Sequence, residues 1–464
     1  MIFKAVFAFP QSSLIAAMNF FRTKSMLPLT SKPSGRRLGA VNPPLCRATA
    51  RLLPEGSAVA IMASRVSEVR CLRGDIAMNF HSLGPRFAVR RQPDFENLRR
   101  TILRQGPPGP VPFFELFADP GMVEAVLQER FPVNLQRYIE QPALKATEDE
   151  VLGLMKAAEI YVRFCYELGY DYVFMLTGLA LRSNKKAAAD TAAVQNWPGG
   201  QRYWQDEASG PIQSWADFDA YPWPKAEDIS PAGLEYVNTI VPEGMKIGAF
   251  LGGGVFENAM YLMGLQPFCY ALHDQPELVE AICQRVGELV TATAAQAVTI
   301  DNVAMMFLCD DLGFYSGTFV SPDVLRRYIL PYHRKIGEAV HRAGKLLLLH
   351  SCGNVYKLMD DLIDDVGIDA KHSFEDKIMP VEEVYRRWGD RAAILGGVDM
   401  NLLGRGTEEQ VRARTRQILE VCGVKGTGYC LGTGNSVSNY IPKQNYLAML
   451  DEGRRWNREH FGTT

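Results

Sequence analysis

The chain has 464 residues, 50 Lys plus Arg against 52 Asp plus Glu, and 47% hydrophobic residues. This length fits two or three domains or one large α/β barrel, and a net charge of −2 argues against a nucleic-acid binder that works by charge. No apolar stretch reaches the roughly 18 residues that a membrane span needs. Nine cysteines scattered through so long a chain do not form a disulfide framework. We therefore expect a cytoplasmic globular protein that acts on a small molecule.

The N-terminal segment differs in composition from the rest of the chain. Basic and acid-free up to Glu55, it has the profile of an organellar transit peptide. Alternatively the start is assigned too early, with Met78 as the true start, because Arg73-Gly74-Asp75 can be encoded by a purine-rich ribosome-binding run. Of the three interpretations of this segment, we rank a later start first, organellar targeting second and a folded domain third. We treat residues 1–88 as a disordered extension. The basic residues before Glu55 are Lys4, Arg22, Lys24, Lys32, Arg36, Arg37, Arg47 and Arg51.

From about Val89 onward, apolar runs of strand length alternate with amphipathic stretches of helical period. The runs at 304–308 and 346–349 are continuously apolar, which is typical of strands covered on both faces. Eight such repeats predict a (β/α)8 TIM barrel with insertions; an open doubly wound sheet is the alternative, but it lacks a Gly-rich nucleotide fingerprint. The predicted strands are Val111–Phe117, Tyr170–Leu176, Lys246–Leu251, Ala304–Cys309, Lys345–Leu349, Ile368–Lys371, Ala393–Gly397 and Gly428–Leu431.

Helices are predicted between the strands, several of them with entry signals such as Ser321-Pro322-Asp323. The insertion between the second and third predicted strands, residues 180–225, is too aromatic for a disordered linker. We expect it to pack over the barrel mouth as a lid or rim. The predicted helices are Pro276–Val298, Pro322–Ala343, Val355–Asp365, Val381–Trp388 and Glu408–Val421.

Polar side chains gather where the predicted strands end, which is the catalytic edge of this fold. The candidate catalytic residues are Asp310 and Asp311 after strand four, His372 and Glu375 at strand six, and Asn435 after strand eight. The two aspartates are either an acid/base pair or a helix cap with an ion-pair partner. His333 and His341 fall on a predicted helix, where we expect them to be solvated.

His350 and Cys352 are separated by one residue, so in an extended chain both side chains leave the same face. An imidazole and a thiolate suit zinc, and a catalytic zinc takes three protein ligands and keeps one position open. The third ligand is left open between Cys430 on strand eight and Cys309 or Asp310 on strand four. In the alternative interpretation, His350 orients a substrate and Cys352 is a small packed residue.

Three segments together resemble the uroporphyrinogen decarboxylase superfamily. They are residues 349–354 (LHSCGN), residues 393–399 with the sequence AILGGVD, and residues 428–442 (GYCLGTGNSVSNYIP), with Asn445 beyond. The resemblance covers about Val111 to Trp456 and implies a (β/α)8 barrel. The group contains the decarboxylases of haem synthesis and the cobamide-dependent methyltransferases.

Departures from each branch shape the functional expectation. True uroporphyrinogen decarboxylases carry an Arg-Gln-Ala-Gly-Arg segment after the first strand, where this chain has the acidic stretch 111–119, and their late His corresponds to Asn435. The methyltransferases bind zinc through His-x-Cys and a distant Cys. His350 and Cys352 match the first two positions, whereas the third falls near Asn435 and Cys430 lies five residues earlier.

The resemblance therefore implies zinc-assisted methyl transfer, with zinc held by His350, Cys352 and Cys430. The implied substrate is a small thiol, methoxy compound or amine, and the implied partner is a corrinoid-binding protein. The family also suggests a homodimer. A metal-free decarboxylase acting on uroporphyrinogen or a smaller aromatic acid is the alternative, and a non-catalytic subunit of a corrinoid protein complex is a third interpretation.

Overall fold

The computed structural model describes residues 92–133, 148–177, 179, 181–189, 201–229 and 231–462. The predicted N-terminal extension, residues 1–88, lies wholly outside these ranges, and so does Met78. In the described part of the chain, no helix is both long and apolar enough to cross a membrane.

The centre of the molecule is a parallel sheet of seven strands in the order β1-β4-β5-β8-β9-β10-β11. All of its pairings are parallel, and the sheet curls into a half-barrel. Two short antiparallel hairpins, β2–β3 and β6–β7, complete the strands. The strands are β1 Tyr172–Leu176, β2 Lys185–Ala189, β3 Gln201–Gln205, β4 Lys246–Leu251, β5 Val303–Cys309, β6 Gly313–Phe314, β7 Gly317–Thr318, β8 Leu346–His350, β9 Ala370–His372, β10 Ala393–Leu395 and β11 Tyr429–Cys430.

Helices follow the strands of the parallel sheet and cover its outer face. Strand β8 is buried along its whole length and β5 along nearly all of it, as expected for strands between a helical layer and a barrel interior. The α-helices are α1 Phe95–Leu103, α2 Pro120–Leu127, α3 Glu148–Leu168, α4 Trp215–Ala220, α5 Ala232–Ile240, α6 Val255–Met263, α7 Leu265–Asp274, α8 Pro276–Ala297, α9 Pro322–Tyr328, α10 Leu330–Arg342, α11 Val381–Trp388, α12 Met400–Arg405, α13 Glu408–Ile418 and α14 Lys443–Phe461.

Seven of the eight predicted strands are present as strands of the parallel sheet. The first, Val111–Phe117, is an extended segment whose backbone bridges, Phe113 to Leu431 and Ala118 to Val437, are isolated and parallel, while its Phe114 ring packs against Tyr172 and Phe307 of the sheet. It is bound to the loop after β11 by hydrogen bonds such as Phe114 N–H to Leu431 C=O (2.7 Å). Its pairing is too irregular for a strand, although its place beside β11 is the one that a barrel requires.

Two predicted helices are interrupted in the structure. The stretch 322–343 forms α9 and α10 with a break at Ile329, because Pro331 lacks the N–H that would continue the hydrogen-bond ladder. The stretch 355–365 is a 3-10 turn, Tyr356–Leu358, followed by a π-helical turn, Asp361–Val366, instead of an α-helix. By contrast, α11 has the predicted bounds.

The described part of the insertion contains the β2–β3 hairpin and α4. Phe218 and Tyr221 both contact the ring of Trp223, with centroids 5.3 and 4.7 Å apart. The insertion is therefore partly held together by its own aromatic side chains. Its expected role as a lid remains a prediction.

The register of three neighbouring strands positions the site. Cys309 of β5 pairs with His350 of β8, and His350 pairs with His372 of β9. These strands therefore end at the same level, and the residues that follow them meet at the carboxyl edge of the sheet.

Candidate functional site

Three donor groups of different chemistry converge at the carboxyl ends of β5 and β8. Single ligand atoms of Asp311, His350 and Cys352 all lie within 4.8 Å of one another. His350 Nε2 is 3.3 Å from Cys352 Sγ and 3.6 Å from Asp311 Oδ1. Among the residues that the structure describes, this is the only such group of His, Cys, Asp and Glu donors.

The ring of His350 is held from behind by a second histidine. Its Nδ1 lies 2.9 Å from Nδ1 of His372, on the neighbouring strand. Phe307 packs against both rings, with centroids 6.2 and 5.9 Å away. The His–His hydrogen bond and the apolar packing fix the imidazole plane, which leaves Nε2 facing Cys352 and Asp311.

Cys352 is contacted by amide and hydroxyl groups from the other side of the site. Asn435 Nδ2 lies 3.3 Å from Cys352 Sγ, and Ser373 Oγ lies 3.7 Å from it. Asn435 also donates to Ser373 Oγ at 3.3 Å. Asn435, after β11, and Ser373, after β9, therefore form one hydrogen-bonded cluster with Cys352.

Asp310 does not share the position of its neighbour Asp311. Its carboxylate accepts hydrogen bonds from the N–H groups of Phe256 (3.0 Å) and Glu257 (2.8 Å) in the first turn of α6. A third contact, at 2.8 Å, joins it to Nε2 of His333. Asp310 therefore caps a helix and is fully buried. The expectation that His333 is solvated is wrong: it is also fully buried, as the partner of Asp310.

Two further predicted residues lie apart from the donor group. Glu375 is exposed on the loop after β9. Cys430 is buried in β11 and is not part of the group formed by Asp311, His350 and Cys352. In the sheet, β9 and β10 lie between β8 and β11, and from this side it is Asn435, five residues after Cys430, that reaches Cys352. The structure therefore brings Asp311 to the pair in place of Cys430.

Burial controls the protonation of the site. It lowers the pKa of His350 to about 4, against the opposing effect of the Asp311 charge. Burial also raises the pKa of the Cys352 thiol well above its ordinary value, and the Asp311 carboxylate adds to this. A neutral imidazole is the form that binds a metal, whereas the thiol must lose its proton when it does.

The donor set fits zinc. Nitrogen, sulfur and one carboxylate oxygen are ordinary zinc ligands, and three protein ligands leave a fourth position for a substrate. A metal-binding histidine usually has its other ring nitrogen hydrogen-bonded, as the contact between His350 and His372 provides.

Sequence reasoning missed two residues beside the site. Ser373 has a φ of 86°, which is rare for a residue other than glycine. Lys371 is fully buried, and its Nζ donates to the Ser373 carbonyl oxygen at 2.7 Å. The available signal was a lysine inside the short apolar strand next to His372.

Comparison with known proteins extends the resemblance noted in the sequence. A methylated-thiol–coenzyme M methyltransferase of Methanosarcina mazei is 28% identical over 196 residues, 42% of this chain. A uroporphyrinogen decarboxylase of Dechloromonas aromatica is 30% identical over 186 residues, 39% of this chain. In each case the match spans 49% of the relative, so the chain spans about half the length of the curated relatives it matches.

The fold has a counterpart among solved structures. A methyltransferase from Methanosarcina mazei superimposes with a TM-score of 0.55 at 17% identity, over 78% of this chain and 98% of that one. The profile of the uroporphyrinogen decarboxylase (URO-D) family matches residues 207–456, more than half of the chain and the part that contains every residue of the donor group. The chain therefore belongs to the uroporphyrinogen decarboxylase family.

Proposed function

We propose that this protein is a zinc-assisted methyltransferase whose metal is held by Asp311, His350 and Cys352. The observation that carries the proposal is the convergence of these donors within 4.8 Å at the carboxyl edge of the sheet. We infer that the extended segment 111–118 completes an eight-stranded barrel around them.

Zinc at this position would act as a Lewis acid on a substrate thiol, hydroxyl, methoxy or amine group. The protein supplies the setting for that chemistry. His350 is buried, with Phe307 against its ring, and burial strengthens the interaction between charges. Asn435 and Ser373 orient the Cys352 sulfur, and His372 fixes the His350 ring.

The methyltransferase relative supports a methyl-transfer reaction, and its name refers to a methylated thiol. We propose a small thiol, methoxy compound or amine as the substrate of this chain, and a corrinoid carried by a partner protein as the other methyl carrier. Phe314 and Tyr315 are 61% and 55% exposed on the β6–β7 hairpin. The Phe314 carbonyl accepts a hydrogen bond from Asn354 N–H (2.8 Å), two residues after Cys352, so an apolar surface lies beside the site.

The test combines metal content with a methyl-transfer assay. Wild-type protein incubated with zinc and desalted should retain about one equivalent, and His350→Ala and Cys352→Ser should lose it. His341→Ala and Cys269→Ser are the matched controls, because both residues are exposed and lie outside the donor group. Methylation of cob(I)alamin by a methylated thiol, a methoxy compound or a methylamine would then identify the substrate. A wild-type protein that retains no metal contradicts the proposal.

Metal-free decarboxylation is the second candidate, because one curated relative is named uroporphyrinogen decarboxylase. Release of CO2 from uroporphyrinogen III, undiminished in Cys352→Ser, would favour it. We rank it below methyl transfer, since the donor group has no evident role in a metal-free reaction.

A further inference from the structure

Lys371 is a buried cation directly beneath the site. The alternation of side chains along β9 places it on the face opposite His372. Its ammonium makes no ion pair with any residue in the described ranges. Instead, it donates to the carbonyl oxygens of Ser351 (3.3 Å), His372 (3.2 Å) and Ser373 (2.7 Å) and lies 4.5 Å from the Phe374 ring centroid. Because an unpaired buried charge is costly, its retention here calls for a local role.

One of these carbonyl groups connects Lys371 to the donor group. The peptide between Ser351 and Cys352 accepts a hydrogen bond from Lys371 through its oxygen. Through its N–H, the same peptide donates to Asp311 Oδ1 at 2.8 Å. The ammonium thus orients a peptide group whose N–H holds Asp311 in place. The nitrogen of this peptide group belongs to Cys352, which carries the sulfur ligand.

A second carbonyl connects Lys371 to the opposite side of the site. Ser373, whose φ is 86°, places its carbonyl oxygen 2.7 Å from Nζ. The N–H of the same peptide, on Phe374, donates to the Gly434 carbonyl at 2.8 Å, next to Asn435. Strained conformations of this kind persist only where the surroundings impose them, and the lysine supplies a close contact that does so.

We propose that Lys371 is a positioning residue of the candidate metal site and that it acts through the Ser351–Cys352 peptide to hold Asp311 as the third ligand. This inference rests on the proposed function, because it requires a metal at Asp311, His350 and Cys352.

The sign of the effect separates positioning from direct electrostatics. A positive charge near the site repels a divalent cation, so removing it would by itself tighten metal binding. Loss of positioning acts in the opposite direction, because a third ligand that is no longer held binds the metal less well. Weaker binding after removal of the charge therefore reports geometry.

The experiment is a double-mutant cycle on cobalt affinity, measured by competition with a chelator and by the visible spectrum of bound Co²⁺. We expect Lys371→Gln to weaken Co²⁺ binding about tenfold, as is typical when a group that supports a metal ligand is lost. In the Asp311→Asn background the same change should have no further effect, since the two residues act in series. Lys371→Arg, which keeps charge and donors, should recover most of the affinity. Lys377→Gln, at an exposed lysine on the loop after β9, is the control.

Each contrary outcome is distinct. Unchanged or tighter binding in Lys371→Gln, or losses that add in the double variant, overturns the role of Lys371 and leaves the metal site standing. Absence of Co²⁺ binding in wild-type protein overturns the proposed function together with this inference. Should Lys371→Gln fail to fold, the crystal structure of cobalt-loaded wild-type protein decides. Asp311 bound to the metal and still accepting from Cys352 N–H supports the inference, and Asp311 turned away from the metal refutes it.

Discussion

Two adjacent aspartates at the end of β5 have different surroundings because successive residues leave an extended chain on opposite sides. Asp310 is directed to the first turn of α6 and to His333. Asp311 is directed to the Cys352 N–H and to His350. Of the two interpretations open for the pair, the helix cap is confirmed for Asp310, whereas Asp311 belongs to the donor group with His350 and Cys352.

Asp310→Asn should lower the free energy of unfolding by about 1–3 kcal/mol, because the amide places a donor where the N–H groups of Phe256 and Glu257 already donate. Urea unfolding measures this loss. The zinc content of the folded variant should equal that of the wild type. Asp323→Asn, at a carboxylate that is 90% exposed, is the control and should change stability little. Loss of zinc without loss of stability would contradict the assignment of Asp310 as a helix cap.

Asn435 lies so close to the sulfur of Cys352 that a cysteine at position 435 should be able to bind the metal. With its Nδ2 at 3.3 Å from Cys352 Sγ, Asn435→Cys should supply a second thiolate to the metal. The sulfur-to-cobalt charge-transfer absorption of the Co²⁺ protein should then rise by about the contribution of one further thiolate. Asn435→Ser, which lacks a sulfur, is the control. An unchanged absorption would mean that position 435 does not face the metal.

At the scale of elements, the segment 111–118 is joined to the loop after β11 by a buried carboxyl group. Glu115 accepts hydrogen bonds from Thr433 N–H (2.9 Å) and Thr433 Oγ1 (2.6 Å). Burial raises its pKa to about 8, and the two bonds from Thr433 oppose the rise. The group is therefore protonated in the folded protein at neutral pH. The fold therefore suppresses the acidic character of the segment at this position.

This protonation predicts a pH dependence of stability. Between the ordinary pKa of 4.5 and about 8, Glu115 is ionised in the unfolded chain but protonated in the folded chain. Its contribution to the free energy of unfolding is therefore fully present below pH 4.5 and decreases as the pH rises. Between pH 5 and pH 8.5, the free energy of unfolding of Glu115→Gln should therefore decrease by on the order of 3 kcal/mol less than that of the wild type. Urea unfolding at both pH values measures it, with exposed Glu243→Gln as the control. Equal slopes for wild type and Glu115→Gln would refute the shift.

At the scale of the whole molecule, the proposed ligands come from segments that only the fold brings together. Asp311 follows β5, whereas His350 and Cys352 lie at the end of β8, with α9 and α10 between them. An ion that needs all three ligands therefore binds the folded protein and not the unfolded chain. Such binding stabilises the folded state by mass action.

Zinc should consequently raise the free energy of unfolding. At a free zinc concentration about 100-fold above the dissociation constant, the expected gain is ~2.7 kcal/mol, and a chelator should reverse it. His350→Ala should show no gain, and His341→Ala the full gain. Thermal unfolding with and without zinc measures this, and a gain that persists in His350→Ala would place the metal elsewhere.

The repeating strand–helix pattern can be predicted from the amino-acid sequence alone, because continuously apolar runs such as Leu346–Leu349 are typical of strands covered on both faces. The His350-x-Cys352 pair can be predicted in the same way, since the two-residue period of an extended chain puts both side chains on one face. The family resemblance rested on the same local segments.

The identity of the third donor depends on the tertiary structure, because strand order and register set the distances between residues that lie far apart in the chain. These placed Asp311 beside His350 and kept Cys430 two intervening strands away. They also buried His333 against Asp310 and brought Lys371 beneath the site. Each of these contacts joins different elements, and a local pattern carries no information about which distant element will lie opposite it.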